Sequence, residues 1–314
     1  MKVLLSLLVA AFAAAAYGQQ APPVAQKPDD SVVTDTETRI ILDVTRVNML
    51  FTVTDRKGRF VTDLTKDDFQ VFENKKPQTI AEFTAETDLP LRLGILIDTS
   101  NSIRDRFKFE QEAAVSFIRS VVHRGHDKAM VVSFDTSTDL VADLIDDTDK
   151  LESAIRSLRP GGGTAMYDAI YFACRDKLSK DQPRHKFRRA IVLVSDGDDN
   201  QSQVSRDQAL EMAQKADVVI YAISTNIMRV ETEGDKVLKY LTSETGGQAF
   251  FPFKVEDLDQ SFENIANELR HQYNVFYRPE PLKTDGMYHT VQLRVKGRHD
   301  LVVRCRKGYY APKL

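Results

Sequence analysis

Between residues 91 and 270, short apolar runs alternate with segments of helical periodicity, and this alternation constrains the possible folds most strongly. Four runs are largely apolar along their whole length: "LRLGILID", "KAMVVSFD", "AIVLV" and "DVVIYAIS". Such runs are typical of strands that are buried on both faces of a sheet. The stretches between them repeat apolar residues at helical spacing, as in "RFKFEQEAAVSFIRSVVHRG". The sequence therefore predicts an α/β domain with a doubly wound, mostly parallel sheet covered by helices on both faces.

Two β-rich segments flank this α/β region, one over residues 39–87 and the other over residues 271–314. In the first, "RIILDVTRVNMLFTVTD" is followed by a turn and by "FQVFENKKPQTIAEF", which indicates a hairpin. The second contains "HQYNVFYRP", "MYHTVQLRVKG" and "LVVRCRKGYYAP". Each flank is too short to bury a core by itself. We therefore expect the two flanks to pair with each other into one β-sandwich.

The first eighteen residues, "MKVLLSLLVAAFAAAAYG", have the features of a secretory signal peptide. Lys2 provides the charged start, an apolar stretch follows, and Ala16-Tyr17-Gly18 is a small-x-small cleavage site. No cysteine lies near that site, so we expect no lipid anchor. Residues 19–38 are rich in proline and polar residues, which predicts a flexible linker. No later stretch could span a membrane, and the mature protein is expected to be secreted or periplasmic.

Charge and cysteine content exclude some classes of function. The formal net charge is −3 and the pI is about 6.1, so nothing favours binding to nucleic acid. Cys174 falls on a helical pattern and Cys305 on a strand pattern, and we expect two separate thiols. The sequence predicts no particular oligomeric state.

Hydroxyl and carboxylate side chains follow two of the predicted strands. The run "GILIDTSNS" (residues 94–102) brings Asp98, Ser100 and Ser102 to the end of a buried strand, and Asp196 follows "AIVLV" after a single serine. Thr164 begins a predicted helix after three glycines. Ligands of open α/β sheets bind at the carboxyl ends of the strands. Ordinary turn chemistry would explain any one of these segments. Together they form an oxygen set suited to Mg²⁺ or Mn²⁺ and without the nitrogen and sulfur ligands of zinc.

At these residues the chain resembles a known family. "DTSNS" matches the Asp-x-Ser-x-Ser motif of the von Willebrand factor type A (VWA) domain, which shares its fold with integrin inserted domains. Thr164 and Asp196 match the later Thr and Asp of that family's metal-ion-dependent adhesion site (MIDAS), and the resemblance covers roughly residues 88–270. The flanking segments are similar to those around the domain in the acidobacterial von Willebrand factor A-related group.

The resemblance implies a Rossmann-like doubly wound fold and a specific division of roles within the metal site. Ser100, Ser102 and Thr164 would ligate the ion directly, whereas Asp98 and Asp196 would act largely through water. One position on the metal would stay open for an Asp or Glu of a partner protein. The implied function is that of a secreted, metal-ion-dependent protein-binding or adhesion module, not an enzyme.

Two other functions remain open at this stage: a Mg²⁺-dependent hydrolase acting at the same strand ends, and a structural envelope protein with a vestigial site. The common enzyme motifs are not present in the sequence. A haloacid dehalogenase-type phosphatase needs a second Asp where this chain has Ser100, and neither a P-loop nor a Gly-x-Ser-x-Gly motif occurs. The cluster "HRGHD", with His123, His126 and Asp127, is a weaker zinc candidate in a predicted loop.

Overall fold

The structure, a computed structural model, describes residues 46–85, 89–104, 106–182, 186–226, 228, 230–254 and 256–313. The predicted signal peptide, the predicted linker and the first residues of the N-terminal β segment lie outside these residues, so those assignments stay predictions.

The described residues form fourteen strands and six α-helices. The strands are β1 (Val47–Asp55), β2 (Phe69–Glu73), β3 (Lys76–Gln78), β4 (Ile80–Thr84), β5 (Leu91–Asp98), β6 (Lys128–Phe134), β7 (Thr138–Ile145), β8 (Arg188–Ser195), β9 (Val218–Ser224), β10 (Ala249–Phe250), β11 (Tyr273–Tyr277), β12 (Tyr288–Val295), β13 (Leu301–Cys305) and β14 (Gly308–Tyr310). The helices are α1 (Phe107–Val121), α2 (Thr148–Ser157), α3 (Met166–Phe172), α4 (Arg206–Lys215), α5 (Glu233–Thr245) and α6 (Glu256–Arg270). A π-helical turn, Ala173–Leu178, continues α3. None of the described helices is both long and apolar enough to cross a membrane.

The central sheet has six strands in the order β10-β9-β8-β5-β6-β7. All neighbours are parallel except β6 and β7, which are antiparallel at one edge. Every residue of β5 is buried because this strand lies between β8 and β6 and is covered on both faces. The prediction of a mostly parallel α/β sheet is confirmed.

Helices cover both faces of this sheet, so its apolar side chains divide into two layers. One layer packs α1, α2 and α6 against residues such as Leu93 and Ile95 of β5. The other packs α3, α4 and α5 against residues such as Leu96 and Leu193. Capping boxes, in which Ser205 and Thr232 bond the first turns of α4 and α5, set where these two helices begin.

The two flanks form a pair of four-stranded antiparallel sheets, with the orders β13-β1-β11-β4 and β14-β12-β2-β3. Each sheet contains strands from both flanks, and their inner faces share one core that includes Met49, Phe51, Val71, Val275 and Leu293. The expected β-sandwich is confirmed. We propose residues 39–87 and 271–314 as its two halves and residues 88–270 as the α/β domain.

The sandwich differs from the predicted hairpin because the chain crosses from one sheet to the other within short stretches of sequence. Only β2 and β3 form a hairpin, whereas β4 begins after a single intervening residue and pairs with β11 in the other sheet. In the same way, β13 and β14 belong to different sheets although only two residues separate them. In both places the chain crosses between the two sheets, which local apolar patterning does not reveal.

A buried polar cluster links the two sheets of the sandwich. The Glu73 carboxylate accepts hydrogen bonds from the hydroxyls of Tyr277 (2.9 Å) and Tyr309 (3.1 Å). His289 Nδ1 lies 3.0 Å from Glu73 Oε1, and its Nε2 lies 3.2 Å from Asp285 Oδ1. Because these polar groups satisfy one another, they can be buried at little cost and favour one arrangement of the sheets.

The sandwich contacts the α/β domain through a polar interface. Glu268 at the end of α6 accepts hydrogen bonds from Thr52 (3.0 Å) and from Arg304 (3.1 Å). Arg306 pairs with Asp217, which immediately precedes β9. The two cysteines form no disulfide, as predicted, and Cys174 is fully buried, which raises the pKa of its thiol.

Replacement of a buried valine should distinguish the sandwich core from its outer surface. Val275→Ala removes a side chain that is 0% exposed, and we expect the free energy of unfolding to fall by about 2 kcal/mol. The matched change Val302→Ala, at a residue that is 47% exposed in a strand of the same sheet, should alter it by less than about 0.5 kcal/mol. Urea denaturation of both variants measures the difference, and equal effects would contradict the shared core.

Candidate metal centre

The candidate site begins with a hydrogen bond between the ends of the two central strands. β5 and β8 are parallel, with Ile97 opposite Val194, so the next residues, Asp98 and Ser195, lie side by side. The Ser195 hydroxyl donates to Asp98 Oδ2 at 2.7 Å, and both residues are completely buried. The sheet register therefore fixes the Asp98 carboxylate at the carboxyl edge of the sheet.

The second oxygen of Asp98 shapes the loop that follows β5. Asp98 Oδ1 accepts a hydrogen bond from the backbone N–H of Ser100 at 2.8 Å, which is the turn chemistry expected of Asp in this position. Burial raises the pKa of Asp98 to about 6, against the opposing effect of the hydrogen bonds from Ser195 and Ser100. Both carboxylate oxygens are thus occupied by this chain's own donors.

Three side-chain oxygens lie in a row beyond Asp98. Ser100 Oγ and Ser102 Oγ are 2.9 Å apart, and Ser102 Oγ donates to Asp196 Oδ2 at 2.8 Å. Because the Ser102 hydrogen is directed to Asp196, Ser100 is the donor in the bond between the two serines. Turn chemistry does not account for this row, because Ser100 makes no side-chain capping bond to the short 3₁₀ turn that follows it.

Thr164 reaches the same edge through the glycine loop. The Gly161 N–H donates to the Thr99 carbonyl at 2.6 Å, and the Asn101 side-chain amide donates to the Gly162 carbonyl at 3.2 Å. On its other side, the Thr164 N–H donates to Asn200 Oδ1 at 3.0 Å. Thr164 is therefore held between the loop after β5 and the loop after β8.

The structure contradicts the expectation that Thr164 begins its helix. α3 begins at Met166, and the residue before it, Ala165, is the N-cap. The first backbone N–H groups of the helix are bound instead by Asp199 Oδ2, which accepts from Tyr167 (2.9 Å), and by the Ser202 hydroxyl, which accepts from Asp168 (3.0 Å). The capping function thus belongs to the loop after β8, and Thr164 is not needed for it.

Gly197 allows the backbone beyond Asp196 to pass close to α5. Its φ of +84° belongs to the left-handed region, and an added Cβ would lie 2.3 Å from the Gly234 carbonyl oxygen. The Gly197 N–H donates to Ser195 Oγ at 3.1 Å. This tight passage fixes the direction in which the chain leaves Asp196.

Sequence reasoning missed three residues of this region: Ser195, Asn200 and Glu110. Ser195 and Asn200 position Asp98 and Thr164 by the bonds described above. Glu110 is 1% exposed in the first turn of α1, and neither of its carboxylate oxygens has a hydrogen-bond partner in the described part of the chain. No local signal singles out Glu110, because the stretch "FEQEAAV" places it beside two further polar residues, Gln111 and Glu112.

The histidine cluster lies at the opposite end of β5 and has a structural role. His123 Nδ1 and His126 Nδ1 lie 2.8 Å and 3.0 Å from the Asp127 carboxylate, which also accepts from the Leu91 N–H at 2.8 Å. Asp127 thereby holds the first residue of β5. Within the described ranges, no group of three or more His, Cys, Asp or Glu residues is arranged to hold a metal ion.

The oxygens at the carboxyl edge suit a hard divalent cation. They are serine hydroxyls and carboxylates, with the Thr164 hydroxyl in the adjoining loop, and such oxygens are the donors that Mg²⁺ and Mn²⁺ prefer. Asn101 and Ser102 are exposed, so a ligand can reach this edge from solvent.

A cleft lies in a different region of the described structure. It has a volume of about 1180 Å³ and lies between the sandwich and the α/β domain, where Arg306, Asp217 and Asn274 line it. It contains none of the five predicted site residues.

Comparisons with known proteins agree with the fold. The family profile of the von Willebrand factor type A domain matches residues 93–268. No curated protein matches the chain at a significant level.

The solved structures that are similar to this chain are distant from it in sequence. A von Willebrand factor type A protein from Catenulispora acidiphila is 14% identical, with a TM-score of 0.52 over 78% of this chain and 74% of that one. Proximal thread matrix protein 1 from the mussel byssus, with a zinc-occupied MIDAS motif, is 18% identical, with a TM-score of 0.50 over 62% of this chain and 49% of that one. The PilB minor pilin from Streptococcus sanguinis is 15% identical, with a TM-score of 0.47 over 59% of this chain and 62% of that one. At these identities the likeness concerns the fold alone.

Two glycines with similar backbone angles should respond differently to substitution. Gly58→Ala (φ +79°) places its Cβ in open space, and we expect it to cost about 1 kcal/mol for the left-handed conformation. Gly197→Ala adds a clash with the Gly234 carbonyl and should lower the free energy of unfolding by at least about 3 kcal/mol. Thermal unfolding compares the two, and similar losses would mean that the passage beside α5 is not rigid.

Proposed function

Because this chain belongs to the von Willebrand factor type A domain family, we propose that it is an exported protein-binding module that depends on a divalent cation. Ser100, Ser102 and Thr164 would ligate Mg²⁺ or Mn²⁺ directly, and Asp98 and Asp196 would act largely through water. The partner would be a protein that presents an Asp or Glu side chain to this edge.

One observation carries the proposal: the row formed by Ser100, Ser102 and Asp196 at the exposed carboxyl edge of the sheet. Its oxygens come from the loops that follow β5 and β8, two strands that are adjacent in the sheet and far apart in sequence. The arrangement therefore depends on the fold, as expected of a binding site at the strand ends of an α/β domain.

The residues divide between holding a cation and stabilising its surroundings. A bound cation would supply a positive charge that neutral serine and threonine hydroxyls do not cancel, which favours an anionic partner group. Both oxygens of Asp98 accept hydrogen bonds, one from the Ser100 N–H and one from the Ser195 hydroxyl. Asp98 would therefore position the loop that carries the serine hydroxyls and would not ligate the cation directly. Asp196 receives the Ser102 hydrogen and orients that hydroxyl.

The same contacts favour binding over hydrolysis. A catalytic carboxylate at the end of β5 needs an oxygen that can reach a substrate, whereas both oxygens of Asp98 are buried and bonded. The hydrolase and the structural envelope protein with a vestigial site remain the alternatives that experiment must exclude.

Substitution of Thr164 should weaken partner binding and spare the fold. We expect Thr164→Ala to lower partner affinity at least about tenfold in Mg²⁺, because a ligand hydroxyl is lost. Its free energy of unfolding should change by about 1 kcal/mol or less, because the helix is capped by other residues. The partner is first captured from the exported fraction in Mg²⁺ and eluted with EDTA. Its affinity is then measured for both proteins in Mg²⁺ and in EDTA.

The matched control is Thr290→Ala, an exposed threonine in the sandwich, which should bind like the unchanged protein. Equal affinities in Mg²⁺ and EDTA for all three proteins would contradict metal-dependent capture and favour the structural alternative. Turnover of a phosphate or carboxylate ester that Asp98→Ala abolishes would favour the hydrolase.

A further inference from the structure

Glu110 is a buried carboxylate that has no hydrogen-bond partner among the residues the structure describes. It is the fourth residue of α1, it is 1% exposed, and both of its carboxylate oxygens lack a hydrogen bond within the described part of the chain. Burying an ionised carboxylate in this way is unfavourable unless a nearby positive charge compensates it. Buried carboxylates elsewhere in this protein are bonded, as Glu73 and Glu268 illustrate.

The charges around Glu110 do not supply that compensation. Arg106 attracts it, but the Arg106 guanidinium donates its hydrogen bonds to the carbonyl oxygens of Thr225 (3.2 Å) and Pro252 (3.4 Å). Asp98 and Asp196 both repel it. Burial, together with these two carboxylates, raises the pKa of Glu110 to about 8.

A purely structural role explains Glu110 poorly. A protonated carboxyl group would stabilise the fold by donating a hydrogen bond, yet neither oxygen has an acceptor within reach among the described residues. An ionised carboxylate would need a donor or a cation, and the described residues around Glu110 provide no hydrogen-bond donor to it. The position is understandable if a positive charge that does not belong to the protein lies close by.

We propose that Glu110 is a further acidic member of the metal centre, outside the five-residue motif, whose negative charge is balanced when a divalent cation binds beside Asp98 and Asp196. The inference rests on the proposed function, because it needs a cation at this edge. It adds a residue that comes from α1 and belongs to none of the strand-end loops. Without metal, the uncompensated charge of Glu110 would lower the stability of the protein. Metal binding would compensate that charge and restore the stability.

Two measurements on the full chain test this inference: the affinity for Mg²⁺ or Mn²⁺ by calorimetry, and the Tm in EDTA. Both are made at a pH of about 8.5, above the pKa of about 8 of Glu110. Glu110→Gln should weaken metal affinity roughly 10–100-fold. The same change should raise the Tm in EDTA by roughly 2–4 °C, because an uncompensated buried charge is removed. Glu110→Met, which is unbranched and apolar, should change both quantities in the same directions.

The control is Glu268→Gln, a buried carboxylate that is bonded to Thr52 and Arg304 at the sandwich interface. It should lower the Tm in EDTA and leave metal affinity unchanged. Unchanged metal affinity in both Glu110 variants, or a lower Tm in EDTA for both, would overturn the inference while the proposed metal site stands. If the unchanged protein itself binds neither metal, the proposed function fails and the inference fails with it.

Discussion

The buried hydrogen bond between Ser195 and Asp98 is the contact on which the rest of the candidate centre depends. It joins the ends of β5 and β8 and satisfies one oxygen of a carboxylate that has no access to solvent. The other oxygen binds the Ser100 N–H and turns the chain. Hydrogen bonds to both oxygens lower the cost of burying this carboxylate. Once Asp98 is fixed, the loop after β5 and the loop after β8 meet, and Ser102 bonds Asp196 across them.

The flanking β segments contact the α/β domain at residues that do not belong to the candidate centre. Each sheet of the sandwich combines strands from both ends of the chain, so neither flank can form its sheets alone. The sandwich joins the α/β domain through Glu268 at the end of α6 and Asp217 at the amino end of β9. Ser102, at the carboxyl edge of the central sheet, stays exposed. The candidate centre is therefore open to solvent at Ser102.

Burial and mutual repulsion disfavour the ionised form of several acidic groups near the carboxyl edge. Burial is the largest cause of the raised pKa of Asp98, of Glu110 and of Asp198, and the charge of Asp196 adds to it in each case. Natural sequences rarely gather like charges in partly buried positions without a functional reason. Under the proposed function, a bound cation would balance these charges.

The sequence by itself determined the class of fold and most of the candidate site. Continuous apolar runs separated by amphipathic segments led to the parallel sheet, and "DTSNS" with Thr164 and Asp196 identified the edge, because strand and helix periodicity are local properties. Tertiary structure alone decided which residues touch. Ser195 reaches Asp98 only through the register of β5 and β8, Thr164 loses its capping role because the loop after β8 supplies it, and β4 leaves its hairpin for the other sheet. The isolation of Glu110 also depends on packing, because a charge in a helix is buried or exposed according to what covers that helix, and no local pattern encodes its cover.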